Sequence, residues 1–140
     1  MQRGLGVVGQ LGHQCGDGVS SAGVFFRGAD VGQGLAVLVR TAHHALLYDS
    51  GPAYGGAANA GARIVVPYLR AIGVDALDAL VLTHRDRDHT GGAAAVQAAL
   101  PVARQLSSLP ELPGERCRAG QSWEWDGVRF LMLHPLAGDY

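Results

Sequence analysis

The chain has 140 residues, 48% of them hydrophobic, which is enough apolar material for one packed domain. Eleven basic residues, all Arg, against twelve acidic ones give a formal charge of -1 at pH 7. That balance excludes a global positive field drawing the chain onto nucleic acid or an anionic membrane, so any phosphate binding must be local.

No apolar run approaches the roughly 18 to 20 residues of a membrane span, and no basic leader followed by an apolar stretch opens the chain. The expectation is a soluble chain, cytoplasmic by default. Cys15 and Cys117 lie far apart without Cys-x-x-Cys spacing, which fits neither a disulfide framework nor a thiolate zinc site.

Residues 1–29 are rich in Gly and small polar residues and lack any sustained two- or 3.6-residue period, so a poorly ordered segment is expected there. His13, Cys15 and Asp17 alternate within it, but with no second ligand cluster nearby they read as part of a polar tail. The partial domain is placed at residues 30–140. Leu35 to Arg40 and Ala45 to Asp49 are β-prone runs joined through Thr41-Ala42-His43-His44 as a hairpin loop. His43 and His44 read as exposed loop histidines, because side chains adjacent on an extended backbone diverge.

Ser50-Gly51-Pro52 stops the second strand, and a loose Gly/Ala-rich loop follows. Ile64, Val65, Tyr68, Leu69 and Ile72 recur at helical spacing, with Gly73 placed to end that helix. Ala79-Leu80-Val81-Leu82-Thr83 is the continuous apolar run of a strand buried on both faces, and it leads straight into His84. Gly91-Gly92 then opens a helix from Ala93 to Leu100, closed by Pro101. Asp126-Gly127, between Ser122-Trp123-Glu124-Trp125 and Val128 to His134, predicts a two-residue hairpin turn. Trp123 and Trp125 read as a packed hairpin face rather than a base-stacking platform. Strands and helices in this order predict an α/β layered domain, with hairpins that argue against a purely parallel sheet.

The chemistry concentrates in His84-Arg85-Asp86-Arg87-Asp88-His89, two imidazoles and two carboxylates at the end of a buried strand. His84 and Asp86 are placed to share one metal ion, and Asp88 with His89 to form a second pair. Two divalent ions roughly 3.5 to 4 Å apart activate water and stabilise the leaving oxygen, so hydrolysis is the implied reaction. The carboxylate at Asp86 makes the site harder, leaving zinc and manganese both open. Arg85 and Arg87 are expected to face away from the metals, in ion pairs or solvent.

Thr83 through Gly92, taken together, resembles the signature of the metallo-β-lactamase superfamily, in a variant where Asp86 stands in place of the more usual second histidine. Asp30-Val31-Gly32-Gln33-Gly34, Leu47-Tyr48-Asp49-Ser50-Gly51-Pro52, Val66-Pro67-Tyr68-Leu69-Arg70 and Trp125-Asp126-Gly127-Val128 extend the likeness to the hydrolase domain of the ComEC family of DNA-uptake competence proteins.

The resemblance implies an αββα sandwich, of which the N-terminal half is expected here. It also implies two divalent metal ions, zinc or manganese, DNA as substrate, and a membrane channel domain as partner in the parent family. It makes His84, Asp86, Asp88 and His89 metal ligands. Asp49 becomes a buried carboxylate beside the metals that orients ligands or water; a role capping the Ser50-Gly51 turn stands beside this. His134 falls where a further ligand could lie, or is a packing histidine before Pro135. Asp88 and Asp49 are thus the candidate catalytic carboxylates. The superfamily's second half, with its bridging Asp and final histidine, has no counterpart, and Gly138-Asp139-Tyr140 does not replace it. Three readings follow: a ComEC-like nuclease, a superfamily hydrolase of a small ester, thioester or lactam, and an inactive truncated fragment.

Overall fold

The computed structural model describes residues 7–11, 25–28, 33–136 and 138. Its elements in chain order are β1 (Val7–Leu11), β2 (Phe25–Gly28), β3 (Val37–Arg40), β4 (Ala45–Tyr48), β5 (Ala53–Gly55) and β6 (Ala58–Asn59). A π-helical turn, Gly61–Val65, runs into α1 (Val66–Ala71), followed by β7 (Ala79–Leu82), α2 (Arg87–Thr90) and α3 (Ala93–Ala99). β8 (Gln105–Ser107), β9 (Glu115–Arg116), β10 (Ser122–Trp125) and β11 (Val128–Met132) complete it. Within the segment expected to be poorly ordered, β1 and β2 are strands. The pairing is tertiary: β1 takes an antiparallel partner in β11, and β2 one in β3. His13, Cys15, Asp17 and Asp30 lie outside the described residues.

A six-stranded sheet in the order β2-β3-β4-β7-β8-β9 forms the middle layer. β2, β3 and β4 are antiparallel, whereas β4, β7, β8 and β9 run parallel. β7 is buried at every position, and its side chains alternate between two cores. Leu80 and Leu82 join Leu38, Leu47, Leu69 and Val96 beneath α1 and α3. Ala79 and Val81 face the opposite way, with Val39, Leu46 and Leu106, onto Val128, Phe130 and Met132 of the second sheet, β1-β11-β10. The result is a helix, sheet, sheet layering with the apolar run of β7 at its centre. Each fully buried Leu or Val there contributes about 1.5 to 3 kcal/mol relative to exposure.

The helix anticipated from Ile64 to Ile72 is present but begins as a π-turn, with Val65, Val66 and Leu69 buried. It stops where Gly73 takes φ 76° and Val74 N–H donates to the Leu69 carbonyl, a glycine C-terminal stop. Trp123 stacks on Phe130 at 5.2 Å and meets Trp125 edge-on at 5.7 Å, while the Arg104 guanidinium lies 5.2 Å from the Trp123 ring. These tryptophans form a packed face. Cys117 is buried in the same core, and burial pushes its thiol up to about 12, the behaviour of an unreactive cysteine.

The two sheets are also tied by polar groups. Asp126 sits at φ 52° and Gly127 at φ 77° in the β10–β11 turn, a geometry that suits Asp-Gly. The Asp126 carboxylate accepts from Thr41 Oγ1 at 2.5 Å, His43 N at 2.8 Å, His43 Nδ1 at 2.8 Å and His44 Nδ1 at 3.0 Å. His44 stacks on Trp125 at 4.9 Å. His43 and His44 are therefore latch residues between the β3–β4 loop and the β10–β11 turn. Their adjacent rings converge because the backbone there is a turn and not an extended strand.

The hydrogen bonds from Thr41, His43 and His44 hold the Asp126 carboxyl well below the ordinary aspartate value of 3.8. A lowered folded value stabilises the native state above the unfolded value and is lost as pH falls below it. Asp126→Asn is expected to lower the urea midpoint at pH 6, with the gap to the parent narrowing as pH drops below 3.8. A gap of the same size at pH 3 and pH 6 would refute a charge-based latch.

Candidate metal centre

The site is assembled where parallel strands end together. β4, β7 and β8 run side by side, so Asp49, Thr83 and Ser108, each just past its strand, lie along one edge of the sheet. Asp49 takes φ 57°, a left-handed backbone uncommon for a residue with a side chain, which turns the chain sharply off β4. Its carboxylate is fully buried, at 0% exposure. It accepts from Thr83 N at 2.9 Å, Thr83 Oγ1 at 2.6 Å and His89 Nδ1 at 2.7 Å. Burial pushes the Asp49 carboxyl above the ordinary aspartate value, and the hydrogen bonds from Thr83 and His89 pull the other way.

Backbone hydrogen bonds zip the Asp49 turn onto the histidine loop. Ser50 N and Ser50 Oγ both donate to the His89 carbonyl, at 2.8 and 3.0 Å. Leu35 N donates to Asp88 O, Gly51 N to Leu35 O, and Gly92 N to Gly51 O. This closeness requires glycine. A Cβ on Gly92 would collide with the Ser50 carbonyl and the Gly61 backbone, and one on Gly91 with Ala53 N and the Arg87 carbonyl.

The residues singled out in the sequence fall into pairs. His84 Nδ1 lies 3.6 Å from Asp86 Oδ2, and His89 Nε2 lies 3.6 Å from Asp88 Oδ2. The His84 and His89 rings stand 5.0 Å apart, which puts both pairs in one patch. The chain turns there as α2, beginning after Asp86. The two carboxylates are about half exposed, at 52% and 49%, and the two imidazoles are more covered, at 27% and 23%. Among the described residues no three of these donors are gathered tightly enough to enclose one ion. His134 follows β11 in the second sheet, and its Nδ1 is a buried polar atom with no hydrogen-bond partner. It is not grouped with the other four.

Arg85 points to the outside, with Nη2 3.8 Å from Glu111, and Arg87 is exposed. Gln33 of the first glycine-bearing motif is exposed as well. Thr83 and Ser50, which fix Asp49 and His89, were missed in the sequence. Thr83 ends an apolar run, and Ser50 looks like an ordinary turn former. Their signals were adjacency to His84 and Asp49 and a place inside the two family-like motifs.

In donor chemistry, two imidazoles and two carboxylates within one patch fit divalent ions of the zinc or manganese kind. His89 has its Nδ1 proton held by a buried carboxylate, the arrangement that fixes a ligating imidazole with Nε2 outward.

Residues 29–133 match the family model of the metallo-β-lactamase superfamily. The chain is 49% identical over 107 residues to competence protein ComA of Neisseria gonorrhoeae, covering 76% of this chain and 15% of that protein. It is 38% identical over 110 residues to recombination protein 2 of Haemophilus influenzae, covering 76% and 14%. The chain thus spans about a seventh of the length of these relatives. Among solved structures, a HARLDQ-motif mutant metallo-β-lactamase from Cronobacter sakazakii matches with TM-score 0.55 and 20% identity over 81% of this chain and 51% of that one, a likeness of fold. The three-layer architecture, the strand-end histidine loop and the match over residues 29–133 agree: the chain belongs to the metallo-β-lactamase superfamily.

Proposed function

We propose that the chain carries metal-binding residues of a hydrolase that cleaves phosphodiester bonds of DNA, in the manner of a competence-protein domain. The observation that carries this reading is the His84-to-His89 loop, with two imidazole–carboxylate pairs at the end of a buried strand and His89 held from behind by Asp49. The likeness to competence protein ComA and recombination protein 2 favours DNA over a small ester, thioester or lactam.

Two divalent ions, zinc or manganese, would supply the Lewis acidity that activates water and stabilises charge on the leaving oxygen. His84 with Asp86, and Asp88 with His89, would hold them. His134, with its orphaned buried nitrogen, is the candidate further ligand. Asp49 positions rather than reacts: with its carboxylate accepting, the proton stays on His89 Nδ1 and Nε2 is left to ligate. Thr83 holds Asp49 by two hydrogen bonds and so sets the direction from which His89 is gripped.

Elemental analysis of the purified chain is expected to find close to two ions per chain, with manganese- or zinc-dependent DNA cleavage that Asp88→Ala lowers by roughly 100-fold or more, beyond what loss of a supporting group brings. Metal-free protein with no cleavage would discard the reading, and turnover of a thioester or lactam without DNA cleavage would replace it. A second expectation concerns Asp49. Asp49→Ala leaves the Thr83 and His89 donors unpaired, so a loss of about 1 to 3 kcal/mol in denaturant unfolding is expected. Zinc affinity by calorimetry should fall about 10- to 100-fold. An unchanged affinity would reduce Asp49 to a turn-capping role.

A further inference from the structure

Beside the histidine loop lies a cavity of about 280 Å³ lined by Leu82 of β7 and by three further segments. α3 contributes Ala93, Ala94 and Gln97, β8 contributes Gln105, and the following loop contributes Leu109, Leu112 and Pro113. Arg85 and Thr90, both within the metal-binding stretch, stand on its rim with Glu111. Arg85 and Thr90 are the sequence neighbours of His84 and His89, so the rim of the cavity and the proposed metal centre share one loop.

We propose that this cavity is a subsite for the base of the nucleotide flanking the scissile phosphate. The inference rests on the phosphodiesterase reading and deepens it.

Volume bounds the occupant first: drug-sized ligands occupy about 300 to 1,000 Å³, so this cavity suits a single ring system. The chemistry of the walls narrows it further. Leu109, Leu112 and Pro113 offer apolar contact to a flat ring. Gln97 and Gln105 are linked, Gln97 Nε2 donating to Gln105 Oε1, and Gln105 Nε2 donates to the Pro113 carbonyl at 2.6 Å. That chain orients the amides. A carboxamide has two N–H donors and two acceptor lone pairs, so the pair keeps capacity for the polar edge of a base.

A sugar would need a polar partner for each hydroxyl, which an apolar wall does not supply. Inside, a phosphate would face Leu82, Leu109, Leu112 and Pro113, apolar walls that cannot replace its water, so it does not belong there. At the mouth the situation differs. Arg85 and Glu111 are 3.8 Å apart and 72% and 52% exposed, a pairing of the kind that contributes little. Arg85 therefore leaves Glu111 easily for a phosphate, on which guanidinium can form two hydrogen bonds. With the base inward, the phosphate lies at Arg85, on the loop that carries His84 and Asp86.

The test uses the full chain without metal, so that binding is read apart from turnover. Titration with dAMP, followed by calorimetry and by the side-chain amide resonances of glutamine, is expected to show binding that shifts Gln97 and Gln105. Deoxyribose 5-phosphate, which lacks the base, should bind at least tenfold more weakly. Ala94→Trp, placed on the exposed side of α3 so that it fills the cavity without entering the core, should lower dAMP affinity tenfold or more at an unchanged melting temperature. Equal affinity for the two ligands, or a dAMP affinity that Ala94→Trp does not alter, would overturn the subsite. The hydrolytic reading is judged separately, by manganese- or zinc-dependent hydrolysis of bis(p-nitrophenyl) phosphate, a diester with no base. Its absence would sink that reading and leave the binding result standing.

Discussion

The hydrogen bond between the buried Asp49 carboxylate and His89 Nδ1 joins the core of the sheet to the loop that carries the chemistry. A carboxylate at 0% exposure is costly unless its oxygens are satisfied, and among the described residues Thr83 and His89 satisfy them. Each of those donors is fixed in turn: Thr83 by its position after β7, and His89 by the hydrogen bonds from Ser50 to its carbonyl. The left-handed backbone at Asp49 belongs to the same arrangement, since it turns the carboxylate under the loop while Ser50 and Gly51 zip onto its far side. Strain of this kind persists only where surrounding contacts over-determine it.

Strand topology explains why the site is on this edge. Parallel neighbours β4, β7 and β8 all end on one side, so the residues that follow them meet without long loops. Antiparallel pairing confines β3 to the role of spacer, with its loop at the opposite end of β4. The apolar run of β7 therefore does two jobs: its alternate side chains hold the helical layer and the second sheet, and its C-terminal end delivers His84. A continuous hydrophobic strand leading into a charged loop is legible in sequence because burial on both faces leaves no room for polar residues before the edge.

Other features were legible for equally local reasons. Gly73 as a helix stop and Asp126-Gly127 as a tight turn depend on backbone conformations that few residues adopt, so each residue type marks its own geometry. What escaped notice depends on distant partners. β1 and β2 hold no period of their own and become strands by pairing with β11 and β3. β8 and β9, of three and two residues, are too short to carry a pattern. His43 is exposed as expected and His44 half-buried, but the loop alone gives no hint of Asp126, more than 80 residues away, on which both converge. The four ligand candidates of the loop were visible as a motif, but the grip of Thr83 and Asp49 on His89 is a contact across 34 and 40 residues.

Two carboxylates paired with histidines now bracket β4, and they behave in opposite ways for one reason. Asp49 is enclosed, so removing the charge from water outweighs three hydrogen bonds and its carboxyl is raised. Asp126 stands at a hairpin tip, where burial opposes least and the donors of Thr41, His43 and His44 dominate, so its carboxyl is lowered. Desolvation against donor number thus separates a positioning group from a latch. A buried acceptor that retains its histidine can orient a neighbouring ligand, because it holds the imidazole Nδ1 at 2.7 Å and leaves Nε2 outward. The hairpin-tip acceptor, shared among the donors of Thr41, His43 and His44, contributes by linking two sheets far from the chemistry. The same pair of residue types therefore serves geometry at one end of the strand and cohesion at the other.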